Sequence, residues 1–368
     1  MGETKYYSLK NILTKNAQYN VIFGERSNGK TYAGYEYGIK RYLETGEQFA
    51  LVRRWGEDLV GKRGTVMFDT MCCNGKGENA IKILSKGKWN AVHYYSSRWY
   101  LANVDNETKT KIVDETPFAY GFAITSGEHD KSTSYPRITT VIFDEFLSRT
   151  AYAPDEFVLF MNVLSTIIRD RNNVKIFMFG NTVSKYCPYF HEMGLKHIKE
   201  MKQGDIDIYT YGESGLRVAV EYVSPTKGGK ASDLYFAFDN SRLQMVTTGG
   251  WEMDIYPHCP CKYKPKDVVY RYFIHFDGEL LECEIVATND NLFTFIHRKS
   301  TPTKEIPYEL VYTTEYSEKP NYRRKINKPL TNLEKKIYNQ FVADKVFYAD
   351  NEVGEVVRNY LMFCGVKM

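Results

Sequence analysis

The sequence predicts an α/β protein built on a parallel sheet, followed by a second domain. A glycine-containing loop lies between a hydrophobic run and a helical stretch, and later apolar runs of strand length alternate with helical segments. After about Gly204 the pattern changes to short alternating strands and Gly-rich turns. We therefore expect a first domain over residues 1–203, a linker region over 204–265 and a second domain over 266–368.

The composition excludes several classes of protein. The chain has 368 residues, 43% of them hydrophobic and 26% charged, and it contains no tract typical of a membrane span or a secretory signal. We expect a cytosolic protein with no membrane partner. Its 49 basic residues nearly balance 45 acidic ones, so any surface that binds nucleic acid must be local.

The seven cysteines are odd in number and scattered, which favours reduced thiols over a disulfide framework. One dense cluster, His258-Cys259-Pro260-Cys261, has the residue types of a zinc site. No second Cys/His pair with finger-like spacing accompanies it, so the sequence does not favour a structural metal there.

The first predicted strand, residues 18–23, leads into a phosphate-binding loop and then a helix over 31–43. The loop consists of Gly24, Glu25, Arg26, Ser27, Asn28, Gly29, Lys30 and Thr31. Small residues let successive backbone N–H groups point at phosphates, at the positive end of the following helix. We expect Lys30 to bridge the β- and γ-phosphates of ATP and Thr31 to hold Mg²⁺.

A second short apolar run, 49–53, and an irregular region with hairpin signals precede the next chemical motif. That motif is a β-branched strand over 138–143 that ends in Asp144 and Glu145. Asp144 is expected to hold Mg²⁺ through water. Glu145 is expected to orient and deprotonate the attacking water, which predicts hydrolysis rather than phosphate transfer to another substrate.

A helix over 156–169 and a strand over 174–179 follow, and Asn181 lies just beyond that strand. An amide at this position could contact the γ-phosphate or the lytic water, although Asn is also common in turns. Arg169 and Arg171 follow the helix. Spacing alone favours solvated helix-end arginines, but a guanidinium donated across a subunit boundary would stabilise a transferring phosphoryl group.

The second domain is predicted to contain strands over 268–275 and 280–287, and helices over 332–342 and 352–363. A two-metal nuclease would have to gather its carboxylates there. The available acids are Asp277, Glu279, Glu282, Glu284 and Asp350. Their scatter favours solvated surface residues.

With these motifs in hand, the chain resembles the DNA-packaging (encapsidation) ATPases of small tailed bacteriophages with protein-primed linear genomes. The matching segments include Gly46-Glu47-Gln48-Phe49 before Val52-Arg53-Arg54, and Lys131-Ser132 with Tyr135-Pro136 before Phe143-Asp144-Glu145-Phe146. They also include Asn181 with Val183-Ser184, followed by Pro188-Tyr189-Phe190. The resemblance is specific to about residue 200 and is weak afterwards, except near Asp350-Asn351-Glu352-Val353.

This resemblance implies a RecA-like, additional-strand ATPase domain followed by an RNase H-like domain that has lost its nuclease acids. It implies a homo-oligomeric ring, expected to hold five subunits, which docks on the portal (connector) protein and pulls double-stranded DNA into a procapsid. A packaging RNA is a further partner that the sequence leaves open. The protein would act in the host cytoplasm, transiently at the portal, and be absent from the mature virion.

The resemblance also assigns residues. Arg169 matches the arginine finger that acts on a neighbour's ATP, with Arg171 as the second choice. Lys131 matches a basic residue that faces the DNA channel. A second channel lysine is expected where this chain has Gly56, and the nearby Lys62 and Arg63 could replace it.

Three alternatives stay open at this point. The first is a large-terminase-type enzyme that also cuts DNA, and the second is an assembly switch that binds ATP without moving anything. Glu145 argues against the switch, because binding alone does not require a carboxylate that activates water. The third, a nucleotide kinase, leaves the second domain unexplained.

Overall fold

A computed structural model describes residues 6–74, 77–105, 107–126, 133–149, 152–153, 155–224, 250–251, 254–289, 291–299 and 309–366. The chain divides into two compact units, Met1–Trp251 and Glu252–Met368.

The first unit is built around a ten-stranded sheet. Its strands are β1 Tyr19–Gly24, β2 Gln48–Arg53, β3 Ala91–Tyr95, β4 Arg98–Asp105, β5 Thr110–Val113, β6 Ala119–Ala123, β7 Ile138–Asp144, β8 Lys175–Asn181, β9 Ile206–Tyr211 and β10 Leu216–Tyr222. Its helices are α1 Lys10–Leu13, α2 Lys30–Thr45, α3 Gly61–Val66, α4 Asp69–Cys72, α5 Ala80–Leu84, α6 Glu156–Ile168 and α7 Pro188–Glu192.

The strand order is β3-β4-β6-β2-β7-β8-β1-β10-β9, and β5 pairs with β4. From β6 to β10 the six central strands are parallel. Strand β8 lies between the loop strand β1 and the acid strand β7. The predicted α/β parallel sheet is confirmed, and the carboxyl ends of β1, β7 and β8 meet at one edge.

The central strands are continuous apolar runs because helices and loops cover both faces of the sheet. Phe143 packs into a cluster on one face and its neighbour Ile142 into a cluster on the other. Helix α2 approaches the sheet closely at Gly34, where a Cβ atom would lie 2.4 Å from Cε2 of Phe179. Glycine is therefore required at this position for α2, and with it the phosphate loop, to keep its place on the sheet.

The predicted domain boundary after residue 203 is wrong. Strands β9 and β10 belong to the first sheet, where Val220 of β10 is the parallel partner of Val21 in β1. The unit ends at Trp251, whose ring lies 5.2 Å from that of Phe23. The error has a physical cause: β9 is an edge strand with partly exposed alternating residues, so its sequence looks like the start of a new antiparallel domain.

The predicted hairpin in the irregular region is confirmed as β3 and β4. It extends the main sheet, because Arg98 and Trp99 of β4 pair with Tyr120 and Ala119 of β6. The insertion therefore shares the hydrophobic core of the first unit, in which Trp99 is completely buried.

The second unit contains one six-stranded sheet and two helices in the part that the structure describes. Its elements are β11 Val268–Phe276, β12 Glu279–Ala287, β13 Leu292–Arg298, β14 Val311–Thr313, β15 Tyr322–Arg323, α8 Asn332–Val342, β16 Val346–Tyr348 and α9 Asn351–Cys364. The order is β15-β14-β11-β12-β13-β16, with β11 to β13 antiparallel and β14 and β15 parallel to β11. The predicted strands 268–275 and 280–287 and both predicted helices are confirmed.

Both helices of the second unit begin at a residue whose side chain caps the helix. The Thr331 hydroxyl accepts the backbone N–H of Glu334, and the Asp350 carboxylate accepts that of Val353 at 2.8 Å. Asp350 is therefore a helix cap here.

Among the residues that the structure describes in both units, no helix has the length and apolar character to cross a bilayer.

Candidate functional site

The phosphate loop connects β1 directly to α2. Ser27 and Gly29 both have left-handed backbone, with φ of 58° and 91°, and Gly29 precedes the first residue of the helix. This conformation turns the chain tightly enough for Lys30 to start α2 at the carboxyl edge of the sheet. The local sequence thus places the N-terminus of a 16-residue helix, with its free backbone N–H groups, beside the site.

Lys30 is 5% exposed, and its ammonium group lies inside its own loop. Nζ donates to the carbonyl oxygen of Glu25 at 2.6 Å, to Oδ1 of Asn28 at 3.1 Å and to Oδ1 of Asn181 at 3.4 Å. Burial lowers the pKa of Lys30 to about 8, although Asp144 and Glu25 partly oppose the shift. The loop therefore holds a partly desolvated cation whose direct partners, among the residues that the structure describes, are neutral oxygens.

The acid pair lies at the end of β7, as the sequence predicts. Asp144 is the last residue of the strand and is 5% exposed, whereas Glu145 turns away with a left-handed φ of 62° and a side chain that is 67% exposed. The hydroxyl of Thr31 donates to Oδ1 of Asp144 at 2.8 Å. The two predicted metal ligands are thus brought together from residues 113 positions apart.

Arg53 is the main participant to which sequence reasoning gave no role. Its guanidinium bridges the acid pair, with Nη2 2.7 Å from Oδ2 of Asp144 and Nη1 3.0 Å from Oε2 of Glu145. Burial favours the neutral form, but the nearby Asp144, Tyr35 and Glu145 outweigh it and raise the pKa of Arg53. In the sequence it was marked only by the segment Val52-Arg53-Arg54, which carries part of the family resemblance and lies at the end of β2, the strand beside β7.

Asn181 is the last residue of β8, where it pairs with Gly24 at the start of the phosphate loop. Its Oδ1 accepts a hydrogen bond from Nζ of Lys30 at 3.4 Å. The predicted position of the amide beside the loop is therefore observed. An Asn side chain here lies between the loop lysine and the end of the acid strand.

A cleft of about 380 Å³ in the first unit lies beside the acid pair, and its lining includes Arg53 and Asn181 but neither Lys30 nor Thr31. It is lined by Arg26, Arg53, Arg54, Trp55, Asp58, Asp144, Glu145, Leu147, Ser148, Arg149, Asn181 and Val183. Four of these are arginines and three are acids, and Arg53 and Arg54 are ion-paired with carboxylates, so the cleft offers both charged donors and acceptors. Of the four, the sequence-based site contains Arg26 alone.

Arg169 and Arg171 differ in their surroundings. Arg171 donates to the carbonyl oxygens of Ile138 at 2.6 Å and Pro136 at 2.9 Å, and it makes further backbone contacts with the end of α6. Arg169 is exposed and donates to the carbonyl oxygen of Thr133 at 2.9 Å. Arg171 therefore serves to bind α6 to the chain before β7, and Arg169 is the arginine that faces solvent.

Arg169 lies far from the phosphate loop of its own chain. Its neighbour Arg171 contacts Ile138, the first residue of β7, whereas the site lies at Asp144, the last. Seven strand residues span about 20 Å, so the two features are at opposite edges of the sheet. Arg169 cannot reach a nucleotide bound in the same subunit.

The predicted DNA contacts are placed only in part. Lys62 and Arg63 lie on α3 and are exposed, and Nη1 of Arg63 forms an ion pair with Asp58 at 2.8 Å. Lys131 lies outside the described residues.

The described residues of the second unit contain one group of possible metal ligands. This group is Glu282, Glu284 and His297, whose ligand atoms lie within 4.8 Å of one another. Two cations already occupy this group, because Arg271 lies 3.0 Å from Glu284 and Lys299 lies 3.3 Å from Glu282. These acids are ion-pair partners.

The cluster around His258 does not form a metal site within the described part of the chain. The Cys259 thiol instead donates to the carbonyl oxygen of Cys261 at 3.1 Å. All seven cysteines are free, in agreement with the predicted reduced thiols.

Comparison with known proteins gives consistent results. The DNA packaging protein of Bacillus phage phi29 is 26% identical over 193 residues, which cover 52% of this chain and 50% of that protein. The chain thus spans about half the length of the curated relatives it matches. Two solved structures share the fold. The Phi-28 gp11 DNA packaging motor has a TM-score of 0.54 and 16% sequence identity, and the match covers 100% of both chains. The bacteriophage Phi-29 viral genome packaging motor assembly has a TM-score of 0.52 and 20% sequence identity, and the match covers 96% of both chains.

A family model described as podovirus DNA encapsidation protein (Gp16) matches residues 1–80 and 95–206, just over half of the chain. The matched ranges include the phosphate loop, the acid pair, Arg169 and Asn181, whose geometry is given above. The chain belongs to the podovirus DNA encapsidation protein family.

Proposed function

We propose that this chain is the ATP-hydrolysing subunit of a ring motor that moves double-stranded DNA into a viral procapsid. The observation that carries the proposal is the convergence of Lys30, Thr31, Asp144 and Glu145 at one sheet edge, with Thr31 Oγ1 2.8 Å from Asp144 Oδ1. In this arrangement the cation can bind the phosphates of a nucleoside triphosphate, the hydroxyl and one carboxylate can hold a divalent metal, and the second carboxylate can activate a water.

The residues fit ATP and Mg²⁺. Thr31 and Asp144 provide the oxygen ligands that Mg²⁺ prefers, and bound Mg²⁺ would neutralise charge on the phosphates. Within the described chain, Nδ2 of the buried Asn28 has no hydrogen-bond acceptor, so the loop retains a donor for a phosphate oxygen. Lys30 exchanges its carbonyl partners for phosphate oxygens when the nucleotide binds.

Glu145 is the general base in this proposal. Its carboxylate is exposed enough for water to reach it. Nη1 of Arg53 lies 3.0 Å from Oε2 of Glu145, and this ion pair keeps the carboxylate beside Asp144. A carboxylate at this place orients the water and takes its proton as it attacks the γ-phosphate. Asn181, which contacts Lys30, is suited to sense whether the γ-phosphate is present.

A neighbouring subunit completes the site. Arg169 is exposed and is about 20 Å from the carboxyl edge of its own sheet, so it stabilises charge on a phosphoryl group only in an adjacent subunit. Arg171 is excluded from this role because backbone carbonyls occupy its guanidinium. A closed ring, with five subunits as the family suggests, supplies each site with one such arginine.

Lys131, Lys62 and Arg63 are the proposed contacts with DNA. A translocase must grip the phosphate backbone without reading bases, and a few cations per subunit provide that. The proposed partners are the portal protein and other copies of this chain, with a packaging RNA as a further candidate. The protein would act in the host cytoplasm at the procapsid portal and be absent from the mature virion.

The second unit supports an RNase H-like fold without nuclease activity. Its order β13-β12-β11-β14-β15, with three antiparallel strands and two parallel ones, is that of an RNase H sheet. Nuclease carboxylates would be expected on its central strands, yet β11 (VVYRYFIHF) and β14 (VYT) contain no Asp or Glu. The nearby acids Glu282 and Glu284 are neutralised by Arg271 and Lys299.

The direct test is Glu145→Gln in the full chain, assayed for ATP turnover with and without double-stranded DNA. We expect turnover to fall about 100-fold or more while ATP binding remains, because Gln keeps the shape and loses the base. Glu57→Gln is the matched control, since Glu57 is an exposed acid nearby that does not line the cleft. Undiminished turnover in the Glu145 variant would overturn the assignment, and wild-type turnover that ignores DNA would argue for an assembly switch.

A further inference from the structure

A buried ion pair lies directly behind the acid strand. Arg54 is 7% exposed and Glu156 is 1% exposed, and Nε of Arg54 lies 2.7 Å from Oε2 of Glu156. Desolvation makes such a pair no more stabilising than well-packed apolar side chains. Stability alone therefore does not explain why charges are buried at this position.

The other two nitrogens of Arg54 hold the turn that carries the proposed base. Nη1 donates to the carbonyl oxygen of Glu145 at 3.2 Å, and Nη2 to that of Phe146 at 2.8 Å. Glu145 has a left-handed φ of 62°, a backbone conformation that is unfavourable for a residue other than glycine. Such a conformation persists only where surrounding contacts fix it, and Arg54 supplies two of them.

The opposite end of the network is the first turn of α6. Glu156 is the first residue of that helix, and its carboxylate also accepts the Tyr189 hydroxyl at 2.8 Å and the Ala153 N–H at 2.7 Å. The helix continues for 13 residues, about 20 Å, and Arg169 follows it. One helix therefore connects the residue that contacts Arg54 to the proposed arginine finger.

We propose that Arg54 is a positioning residue for the proposed ATP hydrolysis: it fixes the Glu145 turn and couples that turn through Glu156 to α6 and Arg169. The inference rests on the proposed function. One planar guanidinium meets three acceptors at once, two carbonyls and a carboxylate. A lysine at the same place keeps the positive charge, but its single ammonium group cannot reach all three acceptors in the same geometry.

The test is Arg54→Lys in the full chain, with kcat and KM for ATP measured separately at saturating DNA and Mg²⁺. We expect kcat to fall about 10- to 100-fold because the base is misplaced. KM should stay within about twofold, because the phosphate loop is not among the contacts of Arg54. The melting temperature is recorded in parallel.

Tyr189→Phe is the matched control. It removes one buried hydrogen bond to the same Glu156 carboxylate and leaves all three Arg54 bonds in place. We expect it to lower the melting temperature by an amount similar to the lysine variant while kcat stays within about twofold of wild type. If kcat falls by the same factor in Arg54→Lys and Tyr189→Phe, or if it falls in neither variant, the network is only structural and the inference is overturned.

A second variant tests the positioning role if Arg54→Lys does not fold. The double change Arg54→Met with Glu156→Met replaces the pair by apolar side chains of similar length, which can restore a buried site. We expect a folded protein with low kcat, and wild-type kcat in it would overturn the positioning role. An inactive wild-type chain, or full turnover in Glu145→Gln, would instead overturn the proposed function.

Discussion

Replacing Lys30 by methionine should make the nucleotide-free protein more stable while abolishing ATP binding. Lys30 is buried in the phosphate loop, and the folded chain keeps its charge against a desolvation cost. Methionine is of similar length and needs no solvation. The perturbation therefore separates the stability of the loop from its function.

The magnitude follows from the pKa of Lys30, which falls from an ordinary value of 10.5 to about 8 on folding. That difference corresponds to about 3 kcal/mol of destabilisation at pH 7, where the group is charged in both states. Losing the two shorter hydrogen bonds of Nζ, to Glu25 and Asn28, returns about 1 kcal/mol each. The contacts of Nζ with Gly24 and Asn181, both at 3.4 Å, are longer than a normal N–H···O bond and add little. The net gain of the methionine variant at pH 7 is then about 1 kcal/mol.

The pH dependence is the sharper readout. The folded pKa is lower than the unfolded one, so between about pH 8 and 10.5 the unfolded chain binds more protons and wild-type stability rises with pH. The advantage of the variant should therefore shrink by about 3 kcal/mol from pH 7 to 10.5, and the hydrogen-bond loss cancels in that difference. Denaturant unfolding of both proteins at the two pH values measures it, and a pH-independent difference would refute the reasoning.

Two further predictions concern the arginines after α6 and the second unit. Arg169→Ala should leave the free energy of unfolding within about 0.5 kcal/mol of wild type yet abolish ATP turnover in assembled rings. Arg171→Ala should lower the free energy of unfolding by about 1–3 kcal/mol, because it loses several carbonyl contacts that hold α6. Denaturant unfolding and ATPase assays compare the two variants, and the reverse pattern would exclude Arg169 as the finger. The full chain incubated with Mg²⁺ or Mn²⁺ should leave supercoiled DNA intact because β11 and β14 carry no carboxylates, and cleavage that EDTA prevents would refute this.

Much of the candidate site could be predicted because its signals are local. The strand, loop and helix around Lys30 form one continuous segment, and the acids follow directly after their strand. Parallel strands gather their carboxyl ends at one edge, so the contact of Thr31 with Asp144 follows from the topology. The same reasoning placed Asn181 beside the loop.

The supporting arginines could not be predicted, because their roles depend on which strands become neighbours. Arg53 reaches Asp144 only because β2 pairs with β7, and the two strands are separated by the whole insertion. Arg54 meets Glu156 across 102 residues. No spacing rule links such positions, and the sequence indicated only that two arginines close a strand.

The position of Arg169 at the opposite sheet edge has a consequence for how the motor would be controlled. If Arg169 is the finger as proposed, a subunit outside the ring holds every proposed catalytic group except one, so it would bind ATP and consume almost none. Turnover per subunit then depends on protein concentration and falls on dilution as the ring dissociates. Assembly on the portal would itself switch on the hydrolysis, without a separate inhibitor.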